Sequence, residues 1–341
     1  MFLGLQTFQR NICSKWAVVG VMLACVMGCS GVKDTGTEPD PNDVVIGGVG
    51  RIAYLRRNDA NGSYHIYLVN PDGKNQVHVN GVSDLADYSG TSWSSDGKQI
   101  AFASNRSGNA NFNIFMMNLD GSNLRTIVTH GGGDFAPSLS PDGTKIAFQA
   151  SRSIGTQWDI YVVNVDGSNE RALIQTALNE ELPTWSPDGT RIAFQAGDST
   201  GTDIYVANSD GSNIKRLTDG NRRQHAAPAW SPDGTQIAFE SNRHQAVSVG
   251  STPVAEYEIF VINADGSNLR RLTFDGGANS LVRKPTWSPD TKQIAFEFTT
   301  IVPNTLQPIS TIAIMNSDGS NVYVIPNLPN GCIFPRWSPV P

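Results

Sequence analysis

Cysteine is scarce in this chain, and its placement says more than its number. Three of the four, Cys13, Cys25 and Cys29, fall within the first 29 residues, which leaves Cys332 alone in the remainder. A disulfide framework is therefore excluded as the source of stability, and Cys332 is expected to be a small, half-buried core residue. No stretch after residue 30 shows a 3.6-residue apolar period, which excludes helical architectures. No G-x-S-x-G sequence occurs, so the nucleophile elbow of the α/β-hydrolases is missing. Cations are also outnumbered: 25 Lys and Arg stand against 31 Asp and Glu, a formal net charge of −6. A surface of that sign repels phosphate backbones and speaks against nucleic acid as a partner.

What the chain does have is repetition. The sequence Asn-x-Asp-Gly recurs six times, from Asn70-Pro71-Asp72-Gly73 through Asn118, Asn164, Asn208 and Asn263 to Asn316-Ser317-Asp318-Gly319. Each copy follows a short apolar run such as Ile160-Tyr161-Val162. Between copies lies a second element, clearest as Trp185-Ser186-Pro187-Asp188-Gly189 followed by Arg191-Ile192-Ala193-Phe194. Its anchor position falls at Trp93, Leu139, Trp185, Trp230, Trp287 and Trp337, in steps of 46, 46, 45, 57 and 50 residues. Short strands and turns at a period of 40 to 50 residues mark propeller blades. Ser-Pro-Asp-Gly presets a tight turn between the first two strands, and Asp-Gly folds the third strand onto a fourth. Triplets such as Ile146-Ala147-Phe148 alternate large, small, large, as a strand with one bulky face requires. Ser95 in place of proline, Thr291 in place of glycine and Leu139 in place of tryptophan depart from the pattern.

The phase of the repeat predicts how the ring closes. The first copy begins at Arg51-Ile52-Ala53-Tyr54, the second strand of a unit, and the chain ends at Trp337-Ser338-Pro339, the end of a first strand. The two ends complete one blade, giving an all-β, six-bladed propeller of four-stranded blades with no long open edge. These units, W-S-P-D-G-x-x-I-A-F and D-I-Y-V-x-N-x-D-G-S-N, resemble the blades of TolB-like propellers, which also occur in the prolyl oligopeptidase family. The resemblance covers residues 51 to 341 and implies a fold; the chemistry is left open.

The N-terminus reads as a targeting segment. Arg10 and Lys15 precede the apolar stretch Trp16 to Met27, which is short for a bilayer span and ends in Val26-Met27-Gly28-Cys29-Ser30. That ending resembles the lipobox of bacterial lipoproteins and implies a signal peptide over 1–28, lipid on Cys29 and a flexible tether over 29–50. Cys25, after Met22-Leu23-Ala24, is the second candidate, and an uncleaved anchor the third. Loss of the leader removes two cations and no acid, leaving a charge of −8. The implied location is the periplasmic side of the envelope, at the outer membrane.

In an up-and-down blade the Ser-Pro-Asp-Gly and Asp-Gly turns share one face of the ring, and the variable loops share the other, where binding usually sits. Those after the second strands of blades five and six, residues 241–257 and 298–311, are enlarged. Around them Arg222, Arg223, His225, Arg243, His244, Arg283 and Lys284 form a candidate binding face for an acidic partner. Arginines ending Ser104-Asn105-Arg106, Ser151-Arg152 and Ser241-Asn242-Arg243 are expected to pair with acids such as Asp159 or Asp203. His65, His130, His225 and His244 share no metal-ligand spacing, and the Asp-x-Asp-Gly turns lack the later acids of a calcium loop. No metal or cofactor is called for. The reading favours a monomeric, non-enzymatic, lipid-anchored module that binds a protein or envelope polymer. The alternative is a carbohydrate-active or sugar-binding propeller, which needs a convergent acid and base; Asp134, Glu180, Glu181 and Asp275 are the available carboxylates.

Overall fold

Repetition of one turn chemistry builds one ring. The protein is seen here in a computed structural model. It describes residues 50–57, 63–79, 87–107, 111–130, 132–152, 157–220, 223–243, 247–249, 252–254, 257–273, 280–301 and 308–339. Cys29 and the rest of the leader and tether lie outside the described residues, as do Arg222, His244 and Asp275.

Six four-stranded antiparallel sheets follow one another around a channel, as the repeat predicts. Blade two is typical, with strands Asp87–Trp93, Gln99–Ser104, Asn113–Asn118 and Arg125–Val128 running from the channel outward. The innermost strands of successive blades, Asp87–Trp93, Asp134–Leu139, Asn179–Trp185, His225–Trp230, Ser280–Trp287 and Cys332–Trp337, contact one another in a closed ring. Closure is as the phase of the repeat requires. Cys332–Trp337 pairs with Ile52–Arg57 in the register Ile52 to Trp337 and Arg56 to Cys332, and the Ser338 amide donates to the Arg51 carbonyl at 2.7 Å.

The turns show why the motif has its letters. In blade four the Gly189 amide donates to the Ser186 carbonyl at 2.9 Å, while the Ser186 hydroxyl donates to Asp188 at 2.5 Å and accepts from the Arg191 amide. The outer turn uses two left-handed residues. Gly167 has φ +86° and Asn169 φ +56°, and the Asp166 carboxylate accepts both the Ser168 amide and hydroxyl. The departures keep the geometry. Ser94 still donates to Asp96 before Ser95, and Thr291 takes φ +64° where glycine is expected.

Packing follows from the alternating triplets. Ile and Phe of each second strand face the preceding blade, and the intervening Ala faces the next. Ala53 thus shares a cluster with Ile100 and Phe102, and Ala101 with Ile146 and Phe148. The closing seam has the same make-up, with Ile52, Tyr54 and Trp337 against Ala295. Cys332 belongs to this cluster and is fully buried rather than half-buried; its thiol donates to the Pro329 carbonyl, and burial pushes its pKa up to about 12.

Two details were not foreseen. The described residues of the enlarged segments are largely strand: Val247–Val249 pairs with Thr252–Val254 as a separate hairpin, and Gln293–Ile301 pairs with Pro308–Asn316 over nine residues each. Extension of the blade-six ladder satisfies backbone groups that a loop would leave to water. Every innermost strand also carries a bulge, with φ near +50° to +75° at Gly90, Ala136, Leu182, Ala227, Lys284 and Phe334. For residues with a Cβ this conformation costs about 1–2 kcal/mol. Proline follows in five of the six, and it disfavours the right-handed helical region for the residue before it. Four bulge amides are caught by the side chain that follows Ile-Ala-Phe in the preceding blade: Leu182 by Gln149, Ala227 by Gln195, Lys284 by Glu240 and Phe334 by Glu297.

Candidate functional site

The first residues of the innermost and third strands lie at the face carrying the variable loops. Many are acids, and they are buried. Asp134, Asp159, Glu180, Asp203 and Glu258 are all less than a tenth exposed. An isolated buried carboxylate is costly, so each needs a partner. Asp134 pairs with Arg152 at 2.5 Å, and the same guanidinium holds Glu170 at 3.0 Å. Asp203 pairs with Arg216 and accepts the Thr218 hydroxyl at 2.7 Å. Glu258 repeats that arrangement one blade later with Arg271 and Thr273. Arg-Leu-Thr at the fourth strand is thus a post that holds the acid at the start of the third. The signal was in the sequence, as Arg216-Leu217-Thr218 and Arg271-Leu272-Thr273, each following an acid by 13 residues at its arginine.

These contacts correct the expected arginine pairings. Arg152 joins Asp134 and Glu170, and Arg243 joins Asp219 at 2.9 Å, whereas Asp203 is taken by Arg216. Arg106 lies over the Phe102 and Phe115 rings at 4.6 and 5.1 Å. Asp159 has no arginine: it accepts from Gln175 at 3.0 Å and sits beside Glu180, whose carboxyl burial pushes up to about 7. Burial likewise raises Asp134 to about 6 against the opposing pull of Arg152.

The predicted cationic residues fall into two settings. Between blades four and five, Arg223 is partly buried and its carbonyl accepts the Thr202 amide at 3.0 Å. His225 is 1% exposed, edge-on to Phe239 at 5.7 Å, and burial pushes its pKa down to about 4, so it contributes no positive charge at neutral pH. Arg243, paired with Asp219, borders a hollow of about 480 Å³ together with Arg216, Ile262 and Leu269. On the innermost strand of blade six, the Arg283 guanidinium lies 4.1 Å from the Tyr257 ring centre, and Lys284 Nζ lies 5.2 Å from that of Phe334. Arg283 and Lys284 therefore cover aromatic rings, a contact that mixes packing with charge.

Among the described residues, the carboxylates considered for catalysis are each held in a separate contact. Asp134 belongs to the Arg152 pair, Glu180 to Asp159, and Glu181 accepts from Gln195 at 2.7 Å. The histidines also sit apart in function: His130 contacts Glu170 at 3.0 Å, and His65 packs edge-on to His78 at 5.4 Å.

Residues 49–257 match the domain described as the TolB beta propeller domain. No curated protein matches the chain. Among solved structures, TolB from Acinetobacter baumannii is similar at 24% identity and a TM-score of 0.66, over 85% of this chain and 66% of that one. A putative TolB from Agrobacterium tumefaciens is similar at 20% identity and a TM-score of 0.61, over 86% of this chain and 95% of that one. An oligogalacturonate lyase from Vibrio parahaemolyticus is similar at 14% identity and a TM-score of 0.52, over 80% and 78% of the two chains. At these identities the likeness is one of fold. The chain spans just under two thirds of the Acinetobacter protein.

Proposed function

We propose that this chain, which belongs to the TolB-type β-propeller family, is a non-enzymatic, monomeric binding module of the cell envelope. It is held on the periplasmic side, at the outer membrane, by lipid on Cys29, and it engages a protein or envelope polymer through its variable face. The observation that carries this reading is the division of the ring into two unlike faces. One face repeats the same two turns, the first in five blades and the second in all six, and the other holds unmatched loops, the hairpin Val247–Val249 with Thr252–Val254, and the long ladder of blade six. Variation confined to one face of a rigid ring is the pattern of a recognition surface.

Capture from detergent-solubilised envelope by the purified chain tests the reading. Replacing Arg222, Arg223 and Arg243 together with glutamate is expected to weaken capture of the native partner, and binding by the unaltered chain is expected to fall as salt rises. Folding should survive, because Arg243 pairs with an exposed Asp219. Glutamate at Lys98 and Lys145, exposed on the uniform face, is the control. Loss of capture in the control alone would show that the wrong face has been chosen. Turnover of an acidic oligosaccharide by the purified chain would replace the binding role with an enzymatic one.

A further inference from the structure

We propose that the uniform-turn half of the central channel is a second ligand site, distinct from the variable face, which takes a small carboxylate with an apolar body through Arg336 and Thr91. The repeat itself isolates these two residues. The position before the anchor is Ser92, Ser138, Thr184, Ala229 and Thr286 in five blades and Arg336 in the closing one. Three of the hydroxyls serve the neighbouring blade, accepting the amides of Leu139, Trp185 and Trp337 respectively for Ser92, Ser138 and Thr286. Arginine has no acceptor and does not fill that role. The Arg336 backbone still does its part, since its carbonyl accepts the Trp93 indole at 3.0 Å. Ring closure therefore does not account for the guanidinium.

That guanidinium lines a cavity of about 400 Å³ between the bulges and the Ser-Pro turns. Among the described residues its one hydrogen bond runs from Nη1 to the Pro335 carbonyl at 3.2 Å, which leaves four of five donors unused by protein. Burial pushes its pKa down to about 10, so it remains a cation at neutral pH. Glu240 acts on it electrostatically but forms no ion pair with it, and Oε2 of Glu240 is taken by the Lys284 amide at 2.8 Å.

The neighbouring blade departs from the repeat at the matching place. Where the other bulges have a side chain and then proline, blade two has Gly90 and Thr91. A Cβ at position 90 would sit in ordinary contact with Arg336 Nη2 at 3.9 Å and Phe334 at 3.6 Å, so glycine, which the φ of +74° favours, leaves this corner unfilled. Thr91 lines the same cavity and is 3% exposed, and its buried hydroxyl has no hydrogen-bond partner among the described residues. Such a hydroxyl destabilises the fold unless something supplies a partner. Arg336, with free donors, and Thr91, with an unpartnered hydroxyl, line one cavity from adjacent blades and offer the donor chemistry that an oxyanion requires. Pro137, Pro183, Trp185 and Trp230 make the opposite wall apolar, and the volume suits a small organic molecule. A single cation with Glu240 nearby favours a monoanion over a dianion.

Titration calorimetry on the full chain with benzoate, its neutral analogue benzamide, and sulfate tests the proposal. Benzoate is expected to saturate, with benzamide about tenfold weaker or more. Arg336→Gln should lower benzoate affinity about tenfold or more, and Thr91→Val, which preserves shape, about threefold. Thermal melts of both variants accompany the titrations; if Arg336→Gln fails to fold, Thr91→Val and the benzoate and benzamide pair decide. Equal binding of benzoate and benzamide, benzoate affinity unchanged in Thr91→Val, or no saturation up to about 10 mM overturns the site. Sulfate binding tighter than benzoate overturns the carboxylate assignment.

Discussion

Trp337 tests the closed ring most directly, because it is the anchor of the one blade assembled from both ends of the chain. Its side chain is 5% exposed and packs with Ile52, Tyr54 and Ala295, and its backbone amide donates to Thr286 on blade six. Trp337→Ala removes a buried indole from a seam that cannot collapse without moving two blades, a loss of about 3–5 kcal/mol. For a chain of this size that corresponds to roughly 6–12 °C in the melting temperature. Trp230→Ala provides the comparison, since Trp230 holds the same position in a continuous blade, with its indole donating to the Thr184 carbonyl at 3.3 Å. If the seam is as well packed as the other interfaces, the two substitutions should cost the same within about 1 kcal/mol. Deleting residues 333–341 goes further: it takes the ladder partners of Ile52, Ala53 and Leu55 and bares the Ile52 and Tyr54 side chains. A loss of that size approaches the whole stability of a typical domain, about 5–15 kcal/mol, so the product should aggregate or lack a cooperative transition. Differential scanning calorimetry with urea titration reads all three proteins. A Trp337→Ala melt equal to that of the unaltered chain, beside a lowered Trp230→Ala melt, would refute closure by this strand.

Glu180→Gln should stabilise the protein in a pH-dependent way. The folded carboxyl is raised to about 7 from an ordinary 4.5, so its stabilising protonated form is complete below pH 4.5 and lost as pH rises through 7. Unfolding free energies from urea titration should therefore match the unaltered chain at pH 4.5 and exceed it by about 2–3 kcal/mol at pH 8. A gain that is the same at both pH values would exclude carboxylate desolvation as the cause. Thr291→Gly, which relieves φ +64° at a branched residue, should raise stability by about 0.5–1 kcal/mol in the same titrations. Cys29→Ser should abolish labelling by a radioactive fatty acid in cells, and unaltered labelling would move the lipid to Cys25.

The parts of the fold legible in the sequence are those whose cause is local. A Ser-Pro-Asp-Gly turn is closed by its own side chains, Ser186 to Asp188 and Arg191 to Ser186, so four letters carry its geometry. Its five copies, with the sixth anchor at Trp337, revealed the blade count and, through their phase, the seam. The bulges were written with equal regularity, as proline two residues before the anchor and as Gln149, Gln195, Glu240 and Glu297 after Ile-Ala-Phe. Their meaning was hidden because amide and acceptor lie 32 to 44 residues apart in all four pairs. Charge was the least legible property. Arg243 and His225 look alike as loop cations, yet one finds Asp219 and the other is buried against Phe239, and only packing between blades decides which.

That same packing explains how one ring supports both a constant and a variable face. The constant face is stabilised turn by turn, each turn satisfying its own backbone groups within a few residues, so it makes no demand on distant sequence. The variable face has no such local rule. Its loops emerge above carboxylates that are tied across strands, Asp134 to Arg152 and Glu170, Asp203 to Arg216 and Thr218, Glu258 to Arg271 and Thr273. Removing one partner of such a pair leaves a buried charge and costs about 3–5 kcal/mol, so the posts resist change. Residues beyond them, such as Asp219 and Arg243, are exposed enough that substitution costs little. Recognition can then vary in the loops without reaching the blades. The channel site at Arg336 and Thr91 breaks this division, because it lies on the constant side and departs from the repeat at two adjacent blades only. In a ring held together by uniformity, a paired departure that adds a half-buried cation and an unpartnered hydroxyl makes closure harder, and a bound carboxylate would supply the compensation that the protein does not.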